Sequence, residues 1–114
     1  MNVKEKSFRF SLLIIELYKK LTSEKEYVIS KQLLRSGTSV GANIEEANAG
    51  VSKKDFVNKM SIASKEARET LYWLRLLNES KLVNIEAHKE INNVNELIKM
   101  LTSIVKTTQE NLNK

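Results

Sequence analysis

The chain has 114 residues, 41% of them hydrophobic, with no cysteine, no proline and one histidine. This length fits a single domain, residues 1–114, with a modest hydrophobic core. The absence of cysteine excludes disulfides and thiolate chemistry, and one histidine gives no basis for expecting a metal site or a cofactor. Three glycines and many Leu, Lys, Glu and Ala residues favour an all-α protein.

The net charge of +5 is unevenly distributed along the chain. Residues 1–35 hold eight Lys and Arg against four Asp and Glu, residues 36–80 hold six against six, and residues 81–114 hold five against four. The excess therefore lies mainly in the first third. A basic bias attracts phosphate backbones, although many proteins without a nucleic-acid role are equally basic.

Apolar residues at three- and four-residue spacing predict an amphipathic first helix over about residues 5–21. The apolar run Leu12–Ile15 is too short to cross a membrane or to act as a signal peptide, and Glu16 interrupts it. We therefore expect a cytoplasmic protein that does not bind membranes.

The second helix is predicted to begin near Ser23 and to end at Asn48 or Ala49. Ser23 and Glu26 have the spacing of a capping box, in which serine and glutamate cap each other's backbone N–H groups. Gly50 is available for the left-handed conformation that ends many helices.

A run of small residues, residues 36–42, lies within the second helix and would allow a neighbouring helix to approach closely. Gly37 and Gly41 each cost about 1 kcal/mol relative to alanine inside a helix, so a packing reason is expected. Folding the second and third helices back about Val51 places Ser39 opposite Ala63. The third helix is therefore the expected close neighbour.

The third helix is predicted to begin after Ser52 and to end near Glu79. Ser52 is a good N-cap, and Val51 and Phe56 are spaced as a hydrophobic staple. The fourth helix carries a mainly apolar seam in alternating steps of three and four, namely Ile91, Val94, Ile98, Leu101, Val105, Thr108 and Leu112. Four helices joined by short turns predict an antiparallel up-down-up-down four-helix bundle.

One stripe of the third helix carries three cations and an aromatic ring at positions i, i+3, i+7 and i+10. Its members are Lys65, Arg68, Tyr72 and Arg75. Guanidinium groups bind phosphate and tyrosine stacks on unpaired bases, so the stripe is a candidate nucleic-acid site, together with Lys19 and Lys20 of the first helix. The alternative is a solvated face, with Lys65 and Arg75 paired to the carboxylates four residues further on.

A second group of polar and apolar residues is a candidate interface or structural network. It consists of Arg35, Asn43 and Glu46 on the second helix with Glu66, Glu69, Trp73 and Leu76 on the third. A di-metal site in a bundle requires Glu-x-x-His pairs, and no histidine lies near Glu66 or Glu69. We therefore expect ion pairs and hydrogen bonds here, with Trp73 and Leu76 as subunit-interface anchors.

Two sequence blocks resemble the family of small four-helix bundles encoded in intervening sequences of bacterial 23S rRNA genes. Residues 32–47, QLLRSGTSVGANIEEA, are similar to the family's Q-L-x-R-S-x-x-S-(I/V)-x-x-N-I-x-E-(G/A) segment. Residues 55–74, DFVNKMSIASKEARETLYWL, are similar to the third-helix pattern of one subgroup. Ala47 stands where many relatives have glycine.

The resemblance implies an oligomeric protein, since characterised relatives form rings of five bundles. A related branch, the accessory variability protein of diversity-generating retroelements, is also pentameric and basic, binds nucleic acid and partners a reverse transcriptase. We therefore expect a non-enzymatic homopentamer that binds RNA or a ribonucleoprotein through basic surfaces on the first and third helices. The alternative is a protein-interaction scaffold without a nucleic-acid ligand.

Overall fold

The computed structural model describes residues 1–114 as four helices and no strand. They are α1 (Val3–Ser23), α2 (Ile29–Asn48), α3 (Lys53–Ser80) and α4 (His88–Leu112). The molecule measures 51 × 24 × 22 Å. The long dimension follows the helices, because the 28 residues of α3 span about 42 Å at 1.5 Å per residue.

The helices form the predicted antiparallel up-down-up-down bundle. Each helix packs against its two neighbours in the order α1, α2, α3, α4, whereas α1 and α3 lie on a diagonal, with no two of their Cα atoms within 8 Å. Ion pairs join the beginning of α1 to the end of α2 (Lys4–Glu45, 3.6 Å) and the end of α2 to the beginning of α3 (Lys59–Glu46, 2.8 Å). These pairs show that α1 and α2, and likewise α2 and α3, run in opposite directions, and the short connection from Lys81 to Ala87 returns α4 along α3.

Apolar side chains from all four helices form one core. The largest fully buried ones are Phe10, Ile14, Leu21, Leu33, Ile44, Met60, Leu74, Leu77, Leu97 and Leu101. In α4 the predicted seam is partly wrong, because Leu97 is fully buried while Ile98 is only half-buried and Leu112 is 41% exposed. The last turns of α4 therefore contribute little to the core.

The connection between α1 and α2 differs from the predicted capping box. Ser23 belongs to the last turn of α1, and Lys25 turns the chain with a φ of 64°. The buried Glu26 carboxylate instead accepts hydrogen bonds at 2.6–3.0 Å from three successive N–H groups, those of Val28, Ile29 and Ser30. A carboxylate suits this place because the first N–H groups of a helix lack intrahelical partners and carry partial positive charge.

In the connection between α2 and α3, the start of α3 has the predicted cap and the end of α2 does not. Ser52 caps α3 as predicted, and its Oγ accepts the backbone N–H of Asp55 at 3.1 Å. Gly50 does not adopt the predicted left-handed conformation, since no glycine has a positive φ. The predicted staple is also wrong, because Val51 is 95% exposed and has no apolar shelter.

The small residues of α2 bring α1 close, not α3 as expected. A Cβ atom added to Gly37 would lie 2.8 Å from Cγ1 of Ile14, and one added to Gly41 would lie 3.3 Å from Oγ of Ser11. On its other side α2 meets α3 through a hydroxyl pair, in which Thr70 Oγ1 donates to Ser36 Oγ at 2.8 Å in the core. Gly37 therefore sets how closely α2 packs against α1, and Ser36 forms its buried polar contact with α3.

None of the four helices has an apolar stretch of the length required to span a bilayer. A cytoplasmic location stays a prediction.

We expect Gly37→Ala to lower the free energy of unfolding by about 1–2 kcal/mol. The new methyl group overlaps Ile14, and overpacking costs about 1–3 kcal/mol, partly offset by the better helix propensity of alanine. Gly41→Ala is the matched control, because its methyl group would lie 3.3–3.5 Å from oxygens of Ser11 and Ser7 without overlap, and it should be neutral or stabilising by up to about 1 kcal/mol. Urea unfolding followed by circular dichroism measures both, and equal stabilities would contradict the close α1–α2 contact at Gly37.

The contact between α1 and α4 makes stability depend on pH. Lys6 forms an ion pair with Glu96 and, through its hydrogen bond and charge, lowers the pKa of that carboxyl below its ordinary value. Because the folded pKa lies below the unfolded one, the stabilisation is present above the unfolded value and is lost as pH falls through the folded value. We expect Glu96→Gln to unfold with a smaller loss of stability between pH 6 and pH 3 than the wild type. Identical pH profiles would contradict this.

Candidate nucleic-acid interface

The predicted cationic stripe of α3 lies on the surface of the bundle. Lys65, Arg68, Tyr72 and Arg75 are all exposed. The Tyr72 ring is 57% exposed and packs edge-to-face on Trp73, with ring centroids 5.2 Å apart and an interplanar angle of 71°. This contact holds the tyrosine ring while leaving a large part of its surface open to a stacking partner.

Carboxylates neutralise only part of this stripe. Arg75 pairs with Glu79 at 3.2 Å, as the solvated-face alternative predicts. The second pair of that alternative, Lys65 with Glu69, does not form, because Glu69 binds Arg35 of α2. Arg68 contacts no carboxylate, and its Nη2 donates to Thr102 Oγ1 of α4 at 3.1 Å. Lys65 and Arg68 therefore keep their charges available.

The cations of α1 are in a different position. Four of the five on this helix form ion pairs, namely Lys4, Lys6, Arg9 and Lys19, and only Lys20 does not. Because α1 and α3 are diagonal, Lys19 and Lys20 do not share a groove with the α3 stripe. The predicted basic surface of the first and third helices is therefore two separate surfaces, and the first is largely neutralised.

Two cations of α4 lie next to the α3 stripe and were not predicted. Lys99 and Lys106 are exposed, and they flank Thr102 at three- and four-residue spacing on one face of α4. The hydrogen bond from Arg68 to Thr102 places that face beside the stripe. The three-to-four spacing was visible in the sequence, but the pairing of this face with Arg68 depends on the register between α3 and α4.

Part of the predicted interface group forms a polar network that links α2 to α3. Arg35 Nη1 contacts Glu66 Oε2 at 3.4 Å, and its Nη2 binds Glu69. Glu69 Oε2 also accepts the indole N–H of Trp73 at 3.0 Å. The Arg35 side chain is 51% exposed, so the network lies at the surface of this subunit and is not buried within it.

Asn43 and Glu46 do not join this network. Asn43 Nδ2 donates to the Ser39 carbonyl of its own helix at 2.9 Å, and Glu46 pairs with Lys59. They lie 8 and 11 residues beyond Arg35, which separates them from it by about 12 and 16 Å along the axis. The prediction of one network that includes Asn43 and Glu46 is therefore wrong, and the network is limited to Arg35, Glu66, Glu69 and Trp73.

The remaining candidates concern apolar contact and metal binding. Leu76 is 38% exposed and lies beside Tyr72 in a shallow depression of α3, while Trp73 is half-buried against the core. Glu66 and Glu69 are engaged by Arg35, and no group of three or more His, Cys, Asp or Glu side chains is arranged to hold a metal ion. His88 begins α4 with a side chain that is 67% exposed.

Comparison with known proteins identifies relatives of this bundle. The model of the family described as 23S rRNA-intervening sequence protein matches residues 1–103. The crystal structure of a protein of unknown function from the S23 ribosomal protein family of Bacteroides thetaiotaomicron VPI-5482 is 48% identical, with a TM-score of 0.87. The similarity covers 92% of this chain and 99% of that chain. No curated protein sequence matches.

We expect Glu69→Ala to lower the free energy of unfolding by about 0.5–1.5 kcal/mol, because it removes the acceptor of the Trp73 indole and one carboxylate of Arg35. Glu79→Ala is the control on the same helix, since its pair with Arg75 is exposed and is expected to contribute at most about 0.5 kcal/mol. Urea unfolding compares the two variants. A larger loss in Glu79→Ala would show that the network does not link the helices.

Proposed function

We propose, because this chain belongs to the 23S rRNA-intervening sequence protein family, that it acts without catalysis as a homo-oligomer that binds RNA. The observation that carries the proposal is the exposed stripe of α3, in which Lys65 and Arg68 have no carboxylate partner. An unneutralised row of cations on a rigid helix raises the local concentration of phosphate. Both side chains lie on the solvent-exposed face of α3, away from the hydrophobic core.

The chemistry of the stripe favours RNA with unpaired bases. Arg68 offers a planar guanidinium group to phosphate oxygens, and Tyr72 offers an open ring face on the next turn. Base stacking on aromatic rings is the usual way in which proteins hold unpaired nucleotides. An exposed helix with one tyrosine is less suited to reading the edges of paired bases in a deep major groove.

Oligomer formation is supported by the apolar and polar groups beside the stripe. Leu76 is 38% exposed, Trp73 is half-buried, and the half-exposed Arg35 network adjoins them. A second copy would shield these side chains from water, and aromatic and arginine residues are the typical anchors of interfaces. We propose five copies, the number that the family resemblance implies.

A protein-interaction scaffold is the second candidate function, and exposed apolar side chains away from the stripe favour it. Phe8 and Leu12 lie one turn apart on α1 and are 61% and 49% exposed. Large apolar side chains grouped on a surface often mark a protein contact. Pull-down with and without nuclease distinguishes the functions, because a partner retained after nuclease treatment binds protein directly.

We expect the chain to bind fluorescein-labelled RNA at about 50 mM salt and to bind it far more weakly at about 200 mM, since phosphate contacts release counterions. Lys65→Gln/Arg68→Gln should weaken binding about tenfold or more. Lys19→Gln/Lys20→Gln removes the same charge from α1 and should weaken it less than about threefold. Fluorescence anisotropy measures all three proteins, and negligible binding of the wild type at low salt would contradict the proposed function.

A further inference from the structure

We infer that the RNA path is the groove between α3 and α4, and that its occupant is a single strand. This inference rests on the proposed function and names the site and the ligand class. The strand's phosphates lie between the two helices, and one base stacks on Tyr72. The α4 side of the site consists of Lys99, Thr102 and Lys106.

The groove is polar along nearly its whole lining. Its walls carry Ser61, Ser64 and Arg68 from α3 and Thr102, Lys106 and Gln109 from α4. These side chains offer hydroxyl, amide, ammonium and guanidinium N–H or O–H groups, all of which donate to phosphate oxygens. No carboxylate is among the residues that line the groove. The lining is therefore suited to bind the negatively charged phosphate backbone of a nucleic acid.

The cations on the two sides of the groove, here called its rims, form no ion pairs. Lys65 and Arg68 lie on one side and Lys99 and Lys106 on the other, whereas the ion pairs of this chain engage other cations. Glu96, the carboxylate three residues before Lys99, is held by Lys6 of α1. Lys99 therefore forms no ion pair, and the pKa of the Glu96 carboxyl is lowered chiefly by Lys6 and only weakly by the charge of Lys99.

The hydrogen bond between Arg68 and Thr102 positions the central cation of the groove. It uses one of the five N–H donors of the guanidinium group and leaves four for a ligand. Because the bond crosses from α3 to α4, it directs the guanidinium group of Arg68 from the α3 side of the groove toward α4. A guanidinium group held in this way loses less conformational freedom when it binds phosphate.

The dimensions of the groove favour one strand. From Ser61 to Arg75 the path extends about 21 Å along α3, and Tyr72 lies one turn beyond Arg68 in the same direction. Axes of packed helices are about 8–10 Å apart, so side chains of α3 and α4 are close enough to contact the same sugar-phosphate backbone. A base turned out of the groove can reach the open face of Tyr72.

The test measures anisotropy of a labelled 20-nucleotide polyuridine strand with the full chain and variants at several salt concentrations. Lys99→Gln/Lys106→Gln should weaken binding about tenfold and reduce the slope of log K against log salt by about 1–1.5. Tyr72→Ala should weaken binding about fivefold or more with an unchanged slope. Lys25→Gln/Lys31→Gln, which removes two exposed cations without ion pairs from the α1–α2 connection and from α2, is the charge-matched control and should bind as the wild type does.

Three results would overturn the inference. Equal weakening in Lys99→Gln/Lys106→Gln and in Lys25→Gln/Lys31→Gln would mean that net charge, and not this groove, binds the strand. Equal affinity of the wild type for polyuridine and for a hairpin duplex of the same length would exclude the single-strand path. In both cases RNA binding itself stands, whereas a wild type that binds neither probe at low salt would overturn the proposed function as well.

Discussion

The bundle depends on the close approach of helices that the small residues of α2 permit. Gly37 admits Ile14 of α1 into a space that a methyl group would fill, and its neighbour Ser36 accepts the hydroxyl of Thr70 from α3 inside the core. One turn of α2 therefore sets its distance to both neighbouring helices. Side chains in a close-packed core cannot adjust to large changes in these distances, so the register of the other helices follows from this turn.

The same register decides where the surface charges lie. α1 carries many cations, but its neighbours supply carboxylates, and Lys4 and Lys6 are paired with Glu45 of α2 and Glu96 of α4. α3 and α4 instead meet through Arg68 and Thr102, a contact without a carboxylate. Cations outside ion pairs are therefore more numerous on α3 and α4 than on α1, although the sequence has its largest cation excess in residues 1–35.

Much of the fold could be predicted from the sequence, because helix periodicity, short connections and the Ser52 cap are local features. The side of α2 that receives α1 could not, since Gly37 and Gly41 suit either neighbour and only the packing of Ile14 decides between them. Glu26 was predicted to cap the N–H group of Ser23, whereas it caps those of residues 28–30, because Ser23 ends α1 and α2 begins only at Ile29.

The candidate site was predictable on α3 alone. Lys65, Arg68 and Tyr72 form a stripe within one helix, whereas the contribution of Lys99 and Lys106 depends on which face of α4 meets Arg68.

The central claim, an RNA-binding oligomer, is tested most directly by light scattering coupled to size exclusion at low salt, with absorbance at 260 and 280 nm. The account predicts a mass near five times 13.1 kDa and co-eluting nucleic acid that high salt removes. A 13.1 kDa species free of nucleic acid would contradict it.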